Sequence, residues 1–307
     1  MMRKWVMAVS LAALVLGGAA ASAAQREPRE PREGREGLRE LMTERRLAQT
    51  ATTAKVDVTL SYGNADKQRV DLFRPASGGN GLPLILYIHG GGWANGSHKM
   101  VAEKPAWASS MGLWFGSIGY RYLPEAPVET QASDVGAAIR KARAEAGRHG
   151  YDPDRIILMG HSAGAHLAAL VSTDPQYAGD AFAAIKAVIP IDGACYDVPA
   201  QIRAAPFMAK RTYIPAFGSE PARQKALSPL THTGARDAPR WLIIYITSRD
   251  DARDQSIALA AALQRGGAQA STKSIAGNHM TANRDFGKTD YPAQAEVDAL
   301  VRAVVGK

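Results

Sequence analysis

From residue 53 onward the hydrophobic positions fall into two alternating rhythms. Short apolar or alternating runs occupy 56–62, 69–74, 84–88, 114–118, 155–159, 187–191, 241–247 and 272–275. Runs of that length and pattern predict strands. Between them, apolar residues recur at helical spacing over 101–111, 128–149, 163–172, 257–265 and 293–305. The first two strands, joined through Gly63 and Asn64, read as an antiparallel hairpin. The later alternation of strand and helix requires crossover connections, hence parallel strands in a sheet covered on both faces. Residues 196–235 break the rhythm with Pro199, Pro206, Pro215, Pro221 and Pro229. They read as an insertion of short helices and loops over the C-terminal edge of the sheet, where ligands of α/β proteins bind. No internal repeat is visible.

The first 52 residues follow another pattern. Arg3 and Lys4 precede an apolar stretch at 6–16, and Ala21, Ser22 and Ala23 offer small residues for cleavage. Residues 1–24 therefore read as a secretory signal peptide, too short in its apolar part for a good membrane span. That predicts export to the periplasm or beyond, with no stable membrane insertion after cleavage. Residues 25–37 alternate charges with Pro and Gly and read as a linker, with a short charged helix expected at 38–47. The domain is expected to span 53–307, long enough for one large core.

Charge and cysteine content narrow the function classes. The net charge is +8. Arg3 and Lys4 account for two of these charges, and 25–46, with seven Arg and six Glu, for one more, leaving +5 on the domain. With no basic run and no aromatic-interleaved basic patch, nucleic acid is not an expected partner. The single cysteine, Cys195, excludes an internal disulfide and reads as a small buried apolar residue. No Cys/His/Asp cluster has metal-ligand spacing and no phosphate-binding glycine fingerprint is present, so no metal or cofactor is expected.

Two motifs carry chemistry. Gly160-His161-Ser162-Ala163-Gly164 lies between a strand and a helix. That context makes a sharp turn which exposes the serine hydroxyl, while glycines let strand and helix pass closely. Seventy residues earlier, His89-Gly90-Gly91-Gly92-Trp93 also follows a strand. Three glycines let the backbone turn its N–H groups toward a developing negative charge. Together they point to acyl transfer with Ser162 as nucleophile. Taken singly, either motif could be an ordinary tight turn.

With these motifs, the segments Tyr120-Arg121-Tyr122-Leu123-Pro124-Glu125-Ala126-Pro127 and Asp152-Pro153-Asp154-Arg155-Ile156 give the chain its resemblance. Over most of 55–305 it resembles the α/β-hydrolases, in the branch of hormone-sensitive-lipase-like and feruloyl-esterase-like carboxylesterases. The resemblance implies a three-layer αβα sandwich with a mostly parallel eight-stranded sheet, matching the strands above. It points to the N–H groups of Gly91 and Gly92 as an oxyanion hole, joined by that of Ala163, the residue after the nucleophile.

In this fold the triad runs serine, acid, histidine along the chain. His89 precedes Ser162 and reads as structural. His166 sits one turn into the nucleophile helix and reads as a packing residue; His232 precedes the best acid candidates. His279, in an expected loop after the last strand, is the candidate base, in line with the family's late histidine. The acid is expected past the strand at 241–246. Asp251 is favoured by its spacing to the following helix, with Asp250 as the alternative. The family commonly has a glycine three residues before the acid, whereas Ser248 and Thr247 stand there. Asp254 reads as a first-turn helix residue, and Asp192, after another strand, is an outside candidate. Trp93 would line the substrate pocket or pack in the core. Glu125 and Asp134 would brace the loop and helix near the site.

The expected activity is hydrolysis of a small-molecule short-chain or aryl carboxylic ester through an acyl-enzyme. Feruloyl or acetyl-xylan ester cleavage and arylformamidase-like amide cleavage share the same machinery. A non-catalytic binding protein on a hydrolase scaffold is the reading from another class, open only through the uncertain acid.

Overall fold

The protein is described by a computed structural model over residues 52–306; the expected signal peptide and nearly all of the linker lie outside the described residues. Eight strands form one sheet: β1 (Val58–Ser61), β2 (Arg69–Phe73), β3 (Leu82–Ile88), β4 (Trp114–Ile118), β5 (Tyr151–His161), β6 (Ile185–Ile191), β7 (Arg240–Ile246) and β8 (Gln269–Ile275). Their order is β1-β2-β4-β3-β5-β6-β7-β8. β2 pairs antiparallel with β1 and β4, and every other neighbouring pair is parallel. The three-layer α/β architecture expected from the sequence is present.

The alternation of side chains along β3 shows why both faces need cover. Leu84, Leu86 and Ile88 enter one hydrophobic core, with Leu158 and Val188 from β5 and β6. Ile85 and Tyr87 enter the other, with Ile157, Met159 and Ile189. Helix α2 (Val128–His149) and helix α3 (Ala163–Thr173) cover the first face. Helix α1 (Lys104–Ser110) and the C-terminal helix cover the second. A strand buried on both faces must read as a continuous apolar run, as β3, β6 and β7 do.

The insertion between β6 and β7 is helical but broken. Helix α4 (Val198–Ala204) is followed by a helical run over 206–217 whose middle, Ala209–Tyr213, is a π-turn, then by helix α5 (Pro221–Ala226) and a last turn at Pro229–His232. A proline occupies the first or second position of each of the two labelled helices and of the last turn, where its missing N–H costs nothing. After β7, helix α6 (Asp250–Arg265) begins seven residues before the expected start at 257. Helix α7 (His279–Arg284) and helix α8 (Gln294–Val305) close the chain. Residue 279 is thus the first residue of a short helix rather than part of a loop. Asn278 caps that helix, its side chain accepting from the N–H groups of Met280 and Thr281.

Candidate active site

Because β5 to β8 run parallel, their C-terminal ends share one edge. The register sets His161 beside Ile191 and Ile191 beside Ile244, so the turns after β5, β6 and β7 lie level. The turns are bonded to one another: the N–H of Ser162 donates to the Ile191 carbonyl at 3.0 Å, and that of Asp192 to Ile244 at 2.7 Å.

Ser162 sits immediately after β5 with φ 57° and ψ −121°, a strained conformation for a residue with a Cβ. Close packing enforces the turn. A Cβ on Gly160 would stand 2.2 Å from the Gly164 carbonyl oxygen, and one on Gly164 would stand 2.1 Å from that of Ile88. Both glycines are required by approach distance. The serine hydroxyl donates to His279 Nε2 at 2.9 Å.

The other ring nitrogen shows which carboxylate partners His279. His279 Nδ1 donates to Asp192 Oδ2 at 2.6 Å. This corrects the expectation of Asp251. Asp251 instead accepts from Gln201 of α4 at 2.9 Å and from Arg249 at 3.2 Å. Asp250 pairs with Arg253 on the exposed side of α6, and Asp254 with Arg253 as well. The physical reason is that Arg249 occupies the space between Asp251 and the imidazole, while the turn after β6 brings Asp192 directly under it. Asp192 adopts φ 45° there, its Oδ1 accepting from the Ile246 N–H at 3.1 Å. Burial alone would push its carboxyl up. The bond from His279 and the charge of Arg249 outweigh burial and hold it down at about 2, ionised.

Gly91 and Gly92 take φ 138° and 61°, and the turn continues through Trp93 at 59°. A Cβ on Gly90 would lie 2.9 Å from that of Ser162, so the glycine loop passes directly beside the nucleophile. The Gly91 carbonyl accepts from the N–H groups of Ala94 and Asn95, which closes the loop into a tight turn. Ala163 opens α3, so its N–H has no acceptor within the helix.

Trp93 resolves toward packing. It is 3 % exposed, its ring edge-on to Phe217 at 4.8 Å, with its indole N–H directed at His166 Nδ1 at 3.3 Å. His166 in turn bonds the Leu227 carbonyl, tying α3 to the insertion, and burial lowers it to about 4. His89 stacks on Tyr120 at 4.3 Å and bonds the Gly90 carbonyl, bracing the glycine loop from beneath. His232 lies near Asp174, away from this site. Asp134 receives Arg121 and Gln68, and Glu125 receives Lys67, bracing the segment after β4. Cys195 is fully buried, which pushes its thiol well up. Among the described residues no His, Cys, Asp and Glu cluster could hold a metal ion.

Two residues escaped the sequence reading. His161 is buried, its ring 4.5 Å from that of His279, with Nε2 donating to the His279 carbonyl at 2.9 Å. Burial, with the neighbouring His279, drives it well below the usual histidine range, so it stays neutral. Arg249 touches both Asp192 and His279. The position of His161 inside the serine motif could have signalled its role; nothing in the pattern around Arg249 does.

The family model BD-FAE matches residues 70–263. Kynurenine formamidase of Danio rerio is 32% identical over 158 residues, covering 51% of this chain and 50% of that protein. Carboxylesterase NlhH of Mycobacterium tuberculosis is 32% identical over 136 residues, covering 43% and 40%. The matched stretch spans half or less of these relatives' length, and 23% of that of another. Among solved structures, the carboxylesterase EstE1 from a metagenomic library aligns with TM-score 0.70 and 23% identity. It covers 88% of this chain and 96% of that one.

Proposed function

Since the chain belongs to the BD-FAE family, we propose that it is a serine hydrolase of small-molecule carboxylic esters, working through an acyl-enzyme on Ser162. The observation that carries this reading is the unbroken relay from Ser162 through His279 to Asp192, at 2.9 and 2.6 Å, beside a glycine loop that passes next to Ser162. Ser162 attacks the ester carbonyl while His279 takes its proton. Gly91, Gly92 and Ala163 donate to the oxyanion. His279 then protonates the leaving alcohol. Water, deprotonated by the same imidazole, releases the acid and restores the serine. Asp192 holds the imidazole with Nδ1 protonated and stabilises its charged form. No cofactor or metal enters this scheme.

Short-chain or aryl esters are the proposed substrates, and export through residues 1–24 the proposed route. The match to a kynurenine formamidase supports a second reading, cleavage of an N-formyl amide. The same nucleophile and oxyanion loop would serve it, with an amine protonated in place of an alcohol.

The test is hydrolysis of p-nitrophenyl esters from acetate to decanoate, beside an N-formyl aryl amide, by wild type and by Ser162→Ala and His279→Ala. Turnover favouring short acyl chains, lost at least about a thousandfold in both variants, is expected. Turnover of the formamide alone would select the second reading. Ester turnover that survives Ser162→Ala would remove the proposal.

A further inference from the structure

Arg249 projects from the turn after β7 into the triad, three residues past the strand end. Its Nη1 donates to Asp192 Oδ2 at 2.7 Å, the same oxygen that receives the His279 proton, and stands 3.0 Å from His279 Nδ1. Nδ1 carries the proton given to Asp192, so this approach sets donor against donor and is not a hydrogen bond. Nη2 donates to Asp251, which Gln201 of the insertion holds from the other side. A guanidinium thus sits in contact with the imidazole that must become positively charged during the reaction, flanked by two carboxylates.

We propose that Arg249 is a positioning residue that sets the charge around the base: it restrains the imidazolium of His279, and Asp251 limits that restraint by sharing the guanidinium. The proposal rests on the reading of His279 as the base. A cation in contact disfavours a second positive charge, and by competing for Asp192 Oδ2 it also weakens the carboxylate's support of the imidazolium. Both effects work against the positive charge that the imidazole takes up during the reaction. Asp251, on which sequence reasoning had placed the acid, acts one step removed through Arg249.

The other groups facing this cluster do not supply the same charge. His161, from β5, is held neutral. Tyr213, from the insertion, is pushed up to about 12 by burial and stays protonated. Cys195 likewise keeps its proton. On α7, Arg284 is paired with Asp285. Lys104, buried beneath and lowered to about 7, bonds the Asn283 carbonyl and is common to every variant compared below.

The measurement is the rate at which a fluorophosphonate probe phosphonylates Ser162, followed from pH 5 to 9 in the full chain. This reads the base whatever ester the protein prefers. In Arg249→Met the acidic limb is expected to move up by about one pH unit, with Arg249→Lys returning most of the way. Asp251→Asn is expected to move it down by about half a unit, since the guanidinium then acts unshared. Opposite shifts from adjacent changes are not produced by loosening of a strut, and the Asn and Lys variants preserve the test should Arg249→Met not fold. Superposable limbs in the variants would overturn the proposal, whatever happened to the plateau rate. Labelling that fails in wild type at every pH would instead overturn the reading of Ser162 and His279, and this inference with it.

Discussion

A carboxyl group with no exposed side-chain surface ordinarily keeps its proton more tightly than one in water. Asp192 is such a group, yet it is ionised down to about pH 2, because one histidine bond and one guanidinium meet at its Oδ2. Two consequences follow at this residue. On the proposed mechanism, Asp192→Asn offers His279 an amide and misplaces the ring proton, lowering kcat by about 10⁴-fold, while Asp251→Asn costs less than about tenfold. Ester kinetics of the two variants check this, and the reverse order would return the acid to the turn after β7. The depressed group also links stability to acid. Its contribution is complete above the unfolded carboxyl range near pH 4 and is lost as pH falls toward 2. Loss of urea resistance between pH 5 and pH 2 should therefore be smaller in Asp192→Asn than in wild type. Ser162 stood out because its neighbours must be small, and His279 because it follows the last strand; their side chains lie 2.9 Å apart. Asp192 stood only as an outside candidate, since its contact with His279 depends on β6 lying between β5 and β7, an adjacency that no local pattern records.

At the level of single elements, legibility followed the sharpness of the ends. Helix α2 runs from Val128 to His149, as its apolar period indicated. Pro127 precedes it in extended backbone, and Gly150 ends it at φ 92°. Helix α6 started earlier than its apolar period because its first turns, Asp250 to Ser256, are mostly polar and carry no such signal. The segment between β6 and β7 consists of short helical pieces whose individual bounds were not readable from five prolines. Glycines separate the same way. Gly147 lies exposed in α2 with nothing within 4 Å of an added Cβ, whereas Gly164 meets two backbone carbonyls. Gly147→Ala should stabilise by about 0.5–1 kcal/mol through lost freedom of the unfolded chain. Gly164→Ala should destabilise by at least about 2 kcal/mol, since strand and helix must part. Thermal unfolding of the two variants, moving in opposite directions, is the check.

Across the whole molecule, stability is unevenly spread. The sheet is sandwiched between two hydrophobic cores, while the insertion is a series of helical segments, one of them interrupted by a π-turn. Polar ties to the rest hold the insertion as well: Arg223 to Glu129 of α2, Leu227 to His166, and Gln201 to Asp251. Short helical segments joined by turns are expected to open before the global transition. Esterase activity is therefore expected to fail at lower urea than far-ultraviolet circular dichroism, and Arg223→Ala should widen the gap. Coincident curves would mean that insertion and sheet unfold as one.

The placement of Asp192 before the insertion divides the machinery unusually. Residues up to the end of β6 and its turn carry the glycine loop, Ser162 and Asp192; residues from β7 onward carry Arg249 and His279. Between them lies an exposed stretch around Phe207 and Lys210. A nick there would leave two pieces, neither holding both Ser162 and His279, that can meet again along the β6–β7 seam and where α8 and the rest of the insertion pack on the first piece. Turnover would then report reassembly of the severed halves, making this chain a natural candidate for a split reporter whose signal is its own chemistry.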